Sequence, residues 1–187
     1  MKSIIEKKPI ADLVALKKAG LLFANPEYQR GVVWSEAQRK KLIDSVFRGY
    51  PLPIIYLHHI KTEVAGIVKE GFEIIDGQQR LTSLEHYLEG AFPLFDPKKD
   101  NDKAKFPKFL VDQKCDWGGK SFHDLPQELQ DILTTTELSV AYIETSEQDE
   151  VRDLFVRLQA GSALNAQERR DAMPGDFTDF ILKLGGK

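Results

Sequence analysis

The order of apolar and polar residues predicts short strands that alternate with amphipathic helices. One β-prone run, Phe72–Ile75, leads into an Asp-Gly turn, after which three leucines recur at helical spacing. This pattern indicates a strand, a tight turn and the start of a helix. Polar side chains are concentrated in the turn, which reads Asp76, Gly77, Gln78, Gln79 and Arg80.

The same patterns predict further elements along the chain. Apolar residues at helical spacing, with capping or breaking residues at the ends, predict helices over residues 9–19, 35–48, 127–133 and about 146–161. Short apolar runs predict strands over residues 21–23, 54–57 and 138–143. A charged, proline-punctuated stretch, residues 96–107, predicts an exposed insertion, and the apolar residues just after it are expected to pair with the sheet or cover it.

The helix over residues 35–48 carries three charged residues at four-residue spacing: Lys40, Asp44 and Arg48. We interpret them as an exposed ladder of ion pairs on a face other than that of the apolar stripe. Arg39 lies in the first half of this helix, where a cation opposes the helix dipole. A nearby phosphate would account for that position, and so would ordinary variation of a surface residue.

Composition limits the class of protein. A chain of 187 residues with 42% hydrophobic residues suits one domain, residues 1–187, either as a short complete protein or as a piece of a longer one. The single cysteine, Cys115, excludes an internal disulfide and a multi-cysteine zinc site. Without an apolar leader or a membrane-length apolar run, we expect a cytoplasmic protein with no membrane partner.

The charge is unevenly distributed. The formal net charge is −3, but residues 1–60 contain ten Lys or Arg against five Asp or Glu, a local charge of +5. An anionic partner should therefore prefer the first third of the chain, although a solvated surface with no partner often shows a similar imbalance.

The polar turn has the chemistry of an anion site. A helix N-terminus offers unpaired backbone N–H groups and a partial positive charge, which suit a phosphate. Asp76 could hold a divalent cation, Gln78 and Gln79 could orient water or a base, and Arg80 could bind an anionic oxygen. The alternative is a capping box, in which Asp76 and Gln79 satisfy helix N–H groups and do nothing else.

A second polar group precedes the first long helix. Tyr28, Gln29 and Arg30 follow an Asn-Pro turn and could stack on a base, contact its edge and hold a phosphate. The same tripeptide is also common in loops without a ligand. Other motifs are absent: the sequence contains neither a nucleotide-binding P-loop nor a His-Glu-x-x-His protease segment, and its four histidines form no HNH-like nuclease constellation.

Three ordered motifs carry a resemblance to a known family. They are NPEYQRGVVWSEAQRKKLIDSVFRGYPLPIIYL, DGQQRLTSL and LFVRLQAGSALNAQERRDA. Together they resemble the GmrSD-type restriction endonuclease N-terminal domain family, of the ParB/sulfiredoxin-like superfamily, over about residues 13–172. The resemblance implies an α+β fold with a small mixed sheet flanked by helices.

The resemblance also implies a function and a site. It implies binding and hydrolysis of a nucleoside triphosphate with Mg²⁺, coupled to cleavage of modified DNA in phage defence by a nuclease domain or subunit outside this chain. Asp76 would aid the metal, Gln78 or Gln79 would position water, and Arg80 would stabilise phosphate charge. The ligand-binding residues would be Tyr28, Gln29, Arg30, Arg39, Gly77, Arg157 and Glu168.

Two alternatives stay open. The same pocket could be a non-catalytic sensor of modified DNA, for example phosphorothioated DNA, or a ParB-like DNA nickase. The chain also departs from the family pattern at Gln159, where the family usually has Asn, so a role for this longer amide is not carried over.

Overall fold

The computed structural model describes residues 1–24, 34–64, 67–100 and 106–161, with side chains left out at 62–64, 67–69 and 159–161. Its strands are β1 (Lys2–Pro9), β2 (Leu22–Ala24), β3 (Ile55–Val64), β4 (Ile67–Asp76) and β5 (Glu137–Glu144). Its helices are α1 (Ile10–Lys18), α2 (Glu36–Phe47), α3 (Gln78–Leu88), α4 (Lys108–Val111), α5 (Gln127–Thr135) and α6 (Gln148–Gly161).

The strands form one mixed sheet in the order β1-β5-β3-β4-β2. The β1–β5 and β3–β4 pairs are antiparallel, whereas β3–β5 and β2–β4 are parallel. The predicted α+β class with a small mixed sheet flanked by helices is confirmed. No helix in the described part of the chain has both the length and the apolar character needed to cross a bilayer.

The sheet separates two hydrophobic clusters, because successive residues of a strand point to opposite faces. On one face, Ile55, Leu57 and Ile74 pack against apolar residues of α1, α2, α3 and α5. On the other face, Ile75, Ala141 and Ile143 pack against the stripe of α6 that begins at Val151. The amphipathic pattern read from this last helix is therefore confirmed as a core pattern.

The interpretation of Lys40, Asp44 and Arg48 as an exposed ladder is wrong. Lys40 is 8% exposed, Asp44 is 7% exposed, and the Arg48 side chain is 5% exposed. Arg48 Nε and Trp117 Nε1 donate to the two oxygens of the Asp44 carboxylate, at 2.7 and 2.8 Å, and the Lys40 ammonium lies 4.6 Å from the ring centre of Phe95. The segment after α3 thus covers this face of α2.

Trp117→Phe tests that network. Phenylalanine keeps the stacking on Phe47, whose ring centre lies 5.2 Å away, but leaves one oxygen of the Asp44 carboxylate without its donor. We expect a loss of about 1 kcal/mol in the free energy of unfolding beyond that caused by ring truncation alone, measured by urea denaturation. Trp34→Phe is the matched control, because the Trp34 indole donates no hydrogen bond to a described residue; equal losses in both variants would contradict the prediction.

Two other segments differ from the sequence prediction. The apolar residues after the insertion do not join the sheet: they form α4, whose Leu110 packs with Phe106 and Phe95 in a separate small cluster. Residues 2–8, to which the pattern assigns no element, form most of strand β1 along β5, and Pro9, predicted to begin a helix, is the last residue of that strand.

Candidate functional site

The polar turn, residues 76–80, joins the end of β4 to the start of α3, as predicted, and is called the bend below. Asp76 is the last residue of β4, and Gly77 is the N-cap of α3 with a φ of 104°. A Cβ at Gly77 would lie 3.1 and 3.2 Å from two carbons of Ile55 and 3.3 Å from Nη2 of Arg80. Both the backbone conformation and the close packing therefore require glycine at this turn.

Gly77→Ala is expected to lower the free energy of unfolding by about 2 kcal/mol, because it combines a left-handed backbone with overpacking. Gly49→Ala is the matched control: Gly49 also has a positive φ, 68°, but a Cβ there would have nothing within 4 Å. The control should lose only about 1 kcal/mol. Thermal and urea unfolding of both variants measure the difference, and equal losses would show that the contact with Ile55 relaxes freely.

Arg80 is buried inside the bend rather than directed to solvent. Its side chain is 8% exposed. It donates through Nη1 to the carbonyl of Pro53 and through Nη2 to the carbonyl of Ile54 at 3.1 Å and to Oδ2 of Asp76 at 2.7 Å. Burial lowers the pKa of Arg80, and the Asp76 carboxylate opposes that shift. Arg80 therefore fixes the Asp76 carboxylate and ties α3 to the segment that precedes β3.

The capping-box alternative for Asp76 and Gln79 is wrong. Helix α3 has no side-chain hydrogen bond at its N-cap. The Asp76 carboxylate accepts from Arg80 instead, and the Gln79 amide oxygen accepts from the backbone N–H of Trp34 at 3.1 Å. The side chains of Asp76 and Gln79 are thus engaged in contacts between elements, not in capping the helix.

Gln79 and Arg39 meet at the same peptide segment. While Gln79 accepts from the Trp34 N–H, Arg39 Nε donates to the Trp34 carbonyl at 3.2 Å. Ser35 then begins α2 with a capping box, in which its hydroxyl accepts from the Gln38 N–H at 3.3 Å. The starts of α2 and α3 are therefore held side by side, and the predicted site residue Arg39 belongs to the wall of the bend.

Two polar groups at the bend are left for a ligand. The Asp76 side chain is 35% exposed, and only its Oδ2 accepts a hydrogen bond from a described residue. Gln78 is half-buried, and its side chain makes no hydrogen bond within the described part of the chain. Since α3 begins at Gln78, the unpaired N–H groups of its first turn lie next to both side chains.

Tyr28, Gln29 and Arg30 lie in residues 25–33, outside the described residues. The described residues on either side of this segment both reach the bend. Ala24, which precedes it, is paired in parallel with Ile74, two residues before Asp76. Trp34, which follows it, is bonded to Gln79.

The remaining predicted residues are not brought to the bend by the described structure. Arg157 is exposed on α6, its side chain at 74%, and its Nε donates to Asp153 at 2.7 Å. The apolar stripe of α6 occupies the side that faces the sheet. Glu168 lies outside the described residues, as does the side chain of Gln159.

The adjacent histidines His58 and His59 lie on opposite faces of β3. His58 is buried, with Nδ1 3.2 Å from Glu73 Oε2, whereas His59 contacts the exposed Glu70. Over the described residues, no group of three or more His, Cys, Asp or Glu could hold a metal ion by itself. Burial raises the pKa of the Cys115 thiol, which disfavours the nucleophilic thiolate.

Sequence reasoning missed the groups that hold the site residues in place. The carbonyls of Pro53 and Ile54 and the backbone of Trp34 bind Arg80, Gln79 and Arg39. Their only signal in the sequence is the proline-rich segment before β3, which indicates a rigid connection but not its partner.

No curated protein matches the sequence. Among solved structures, the chain is similar to the C-terminally truncated chromosome-partitioning protein ParB from Caulobacter crescentus complexed with CTP-gamma-S, at 14% identity and a TM-score of 0.42. The alignment covers 89% of this chain and 58% of that chain, so this chain spans less than two thirds of the ParB chain.

A family model also matches the sequence. The family model described as GmrSD restriction endonuclease, N-terminal domain, matches residues 10–173, which is most of the sequence and includes the bend and all three motifs. The chain therefore belongs to the GmrSD restriction endonuclease N-terminal domain family.

Proposed function

We propose that this chain is the nucleotide-binding domain of a DNA restriction system directed at modified DNA, and that its bend binds and slowly hydrolyses a nucleoside triphosphate. The family supports the restriction context. DNA and a nuclease domain or subunit are the partners that this context implies, and phage defence is the corresponding biological role.

The observation that carries the proposal is that one Asp76 carboxylate oxygen and the Gln78 amide have no hydrogen bond to a described residue at the bend. Asp76 is held by Arg80 through one carboxylate oxygen only, and it stands beside the first turn of α3. Phosphate oxygens would accept from the N–H groups of that turn, where the helix dipole also favours negative charge. Gln78, half-buried and without a described partner, is the amide best placed to orient an attacking water.

The donor set fits Mg²⁺ in the form that nucleotides bring with them. Mg²⁺ commonly uses one or two protein carboxylates and completes its shell with water and phosphate oxygens. Asp76 supplies one carboxylate, and bound Mg²⁺ would neutralise charge on the phosphates. Arg80 acts as a positioning residue in this arrangement because its guanidinium is already bonded to Asp76 and two carbonyls.

The base of the nucleotide is assigned to the segment between Ala24 and Trp34. Both ends of that segment reach the bend, and the segment contains Tyr28, Gln29 and Arg30, an aromatic, an amide and a guanidinium suited to a base and a phosphate. Arg39 adds a cation to the same wall. Arg157 and Glu168 stay secondary assignments made from the family pattern.

Phosphate release tests the proposal directly. Purified protein is incubated with each of the four ribonucleoside triphosphates, with Mg²⁺ and with EDTA, and equilibrium binding is measured in parallel. We expect Mg²⁺-dependent release with at least one nucleotide, at a rate well below that of a dedicated metabolic enzyme. The absence of both binding and phosphate release with all four nucleotides would refute the proposal.

Two competing functions give different outcomes in the same preparation. A sensor of modified DNA would bind modified duplex without binding nucleotide, and its affinity would fall steeply with salt, with a slope that counts the phosphates contacted. A nickase would convert supercoiled plasmid to the open circular form. The local charge of +5 in residues 1–60 suits a nucleotide and DNA equally. The nucleotide experiment therefore decides between a nucleotide-binding and a DNA-binding function.

A further inference from the structure

Strand β1 forms an edge of the sheet and is exposed over most of its length. Its inner side pairs with β5, and no described strand pairs with its outer side. Six of its eight residues are exposed, including Ile4 at 59% and Ile5 at 62%. A long edge strand with apolar residues on both faces is a template for another strand.

We propose that two copies of this chain associate by antiparallel pairing of their β1 strands, which joins the two sheets into one. The two-fold axis that relates the two copies passes beside Ile4, so that each Ile4 lies opposite the Ile4 of the second copy. In this register Lys2 of each copy lies opposite Glu6 of the other. Lys2, Ile4 and Glu6 share one face of the strand, since they alternate along it.

Symmetry restricts the possible registers. Adjacent residue pairs in an antiparallel ladder alternate between hydrogen-bonded and non-hydrogen-bonded types. A two-fold axis must map each pair onto a pair of the same type. If no residue lay opposite its own copy, the axis would exchange two adjacent pairs, which are of different types. One residue therefore has to lie opposite its own copy. The exposed isoleucines are the apolar candidates for that position, namely Ile4 and Ile5.

Charge selects Ile4 over Ile5. With Ile5 at the axis, Lys2 would lie opposite Lys8, and Ile4 opposite Glu6, which places like charges together and pairs an apolar with an acidic side chain. With Ile4 at the axis, one Lys2–Glu6 pair lies on each side of the central Ile4–Ile4 pair. Opposite charges that face each other across two strands stabilise the pairing.

The existing contacts of Glu6 are compatible with this register. Its carboxylate lies 3.6 Å from Lys8 Nζ on the same strand, and the Glu6 side chain is still 51% exposed. In the dimer Glu6 would therefore lie between Lys8 of its own copy and Lys2 of the second copy. Lys7 points to the opposite face, opposite residue 1 of the second copy, and takes no part in the Lys2–Glu6 pairs.

Charge reversal tests the register. The full chain is examined by sedimentation velocity over a series of concentrations, and we expect a concentration-dependent dimer. Lys2→Glu and Glu6→Lys should each raise the dimer dissociation constant about tenfold, because each places two like-charged pairs across the axis. The double variant Lys2→Glu with Glu6→Lys should restore wild-type association. Lys7→Glu is the matched control for net charge and should change the dissociation constant little.

Disulfide trapping provides a second measurement that depends on distance. In a Cys115→Ser background, Ile4→Cys should form a covalent dimer on mild oxidation, because directly opposed residues have Cα atoms about 4.5–5.5 Å apart. Lys7→Cys should not cross-link to itself, since the two copies of that position would lie about 20 Å apart along the strands. A chain that stays monomeric at every concentration, a dimer insensitive to both reversals, or equal cross-linking at both positions would overturn the proposal.

Discussion

Replacing Arg80 by methionine is expected to lower the free energy of unfolding by about 3 kcal/mol or more. Methionine keeps much of the volume of the side-chain stem, so the loss comes from polar groups. The carbonyls of Pro53 and Ile54 lose their donors, and the Asp76 carboxylate loses the cation that lies 2.7 Å away. Urea denaturation monitored by circular dichroism measures the effect.

Arg157→Met is the matched control for this prediction. Arg157 also pairs with an aspartate four residues earlier, Asp153, and also at 2.7 Å, but these side chains are 74% and 61% exposed. An exposed pair of this kind contributes only about 0.5 kcal/mol or less. If Arg80→Met were as mild as the control, Arg80 would not be the residue that holds the bend together.

Asp76→Asn is expected to reduce Mg²⁺-dependent phosphate release by on the order of 100-fold or more, as loss of one preorganised electrostatic group often does. Asparagine keeps an oxygen that can accept from Arg80, but it removes the charge proposed to hold the cation. Since the Asp76 side chain is 35% exposed, we expect only about 1 kcal/mol of lost stability. Steady-state release and urea unfolding are measured on the same preparation.

Asp153→Asn serves as the control for Asp76→Asn. It removes the carboxylate from the exposed i,i+4 pair with Arg157, at a position that lies on α6 and not at the bend. Its hydrolysis rate should equal that of the wild-type chain. Folded Asp76→Asn protein with wild-type activity would remove the bend from the proposed active site, even if the chain hydrolyses nucleotides elsewhere.

Local sequence signals predicted the bend correctly. A β-prone run, a glycine and leucines at helical spacing specify a strand, a turn and a helix with little help from the rest of the chain, and β4, Gly77 and α3 follow one another in that order. The stripe of α6 was equally predictable, because its helical period already selects one buried side. The capping box at Ser35 is another local pattern, complete within four residues.

Interactions between distant segments could not be predicted in the same way. Arg80 bonds to carbonyls 26 and 27 residues earlier, and Gln79 bonds to a peptide 45 residues earlier. The burial of Asp44 depends on Trp117, which lies 73 residues further along the chain. Strand β1 has too little apolar periodicity to be recognised, and it exists because β5 offers a partner edge.

The sequence by itself therefore determined the α+β class, the strand-turn-helix bend and the family, because these depend on short-range periodicity, turn chemistry and ordered motifs. Only the tertiary structure decided which polar side chains of the bend are engaged and which face outward. The physical reason is that a buried guanidinium or carboxylate must find hydrogen-bond partners wherever the fold brings them. Those partners are backbone and side-chain atoms from remote segments, whose positions no local pattern records.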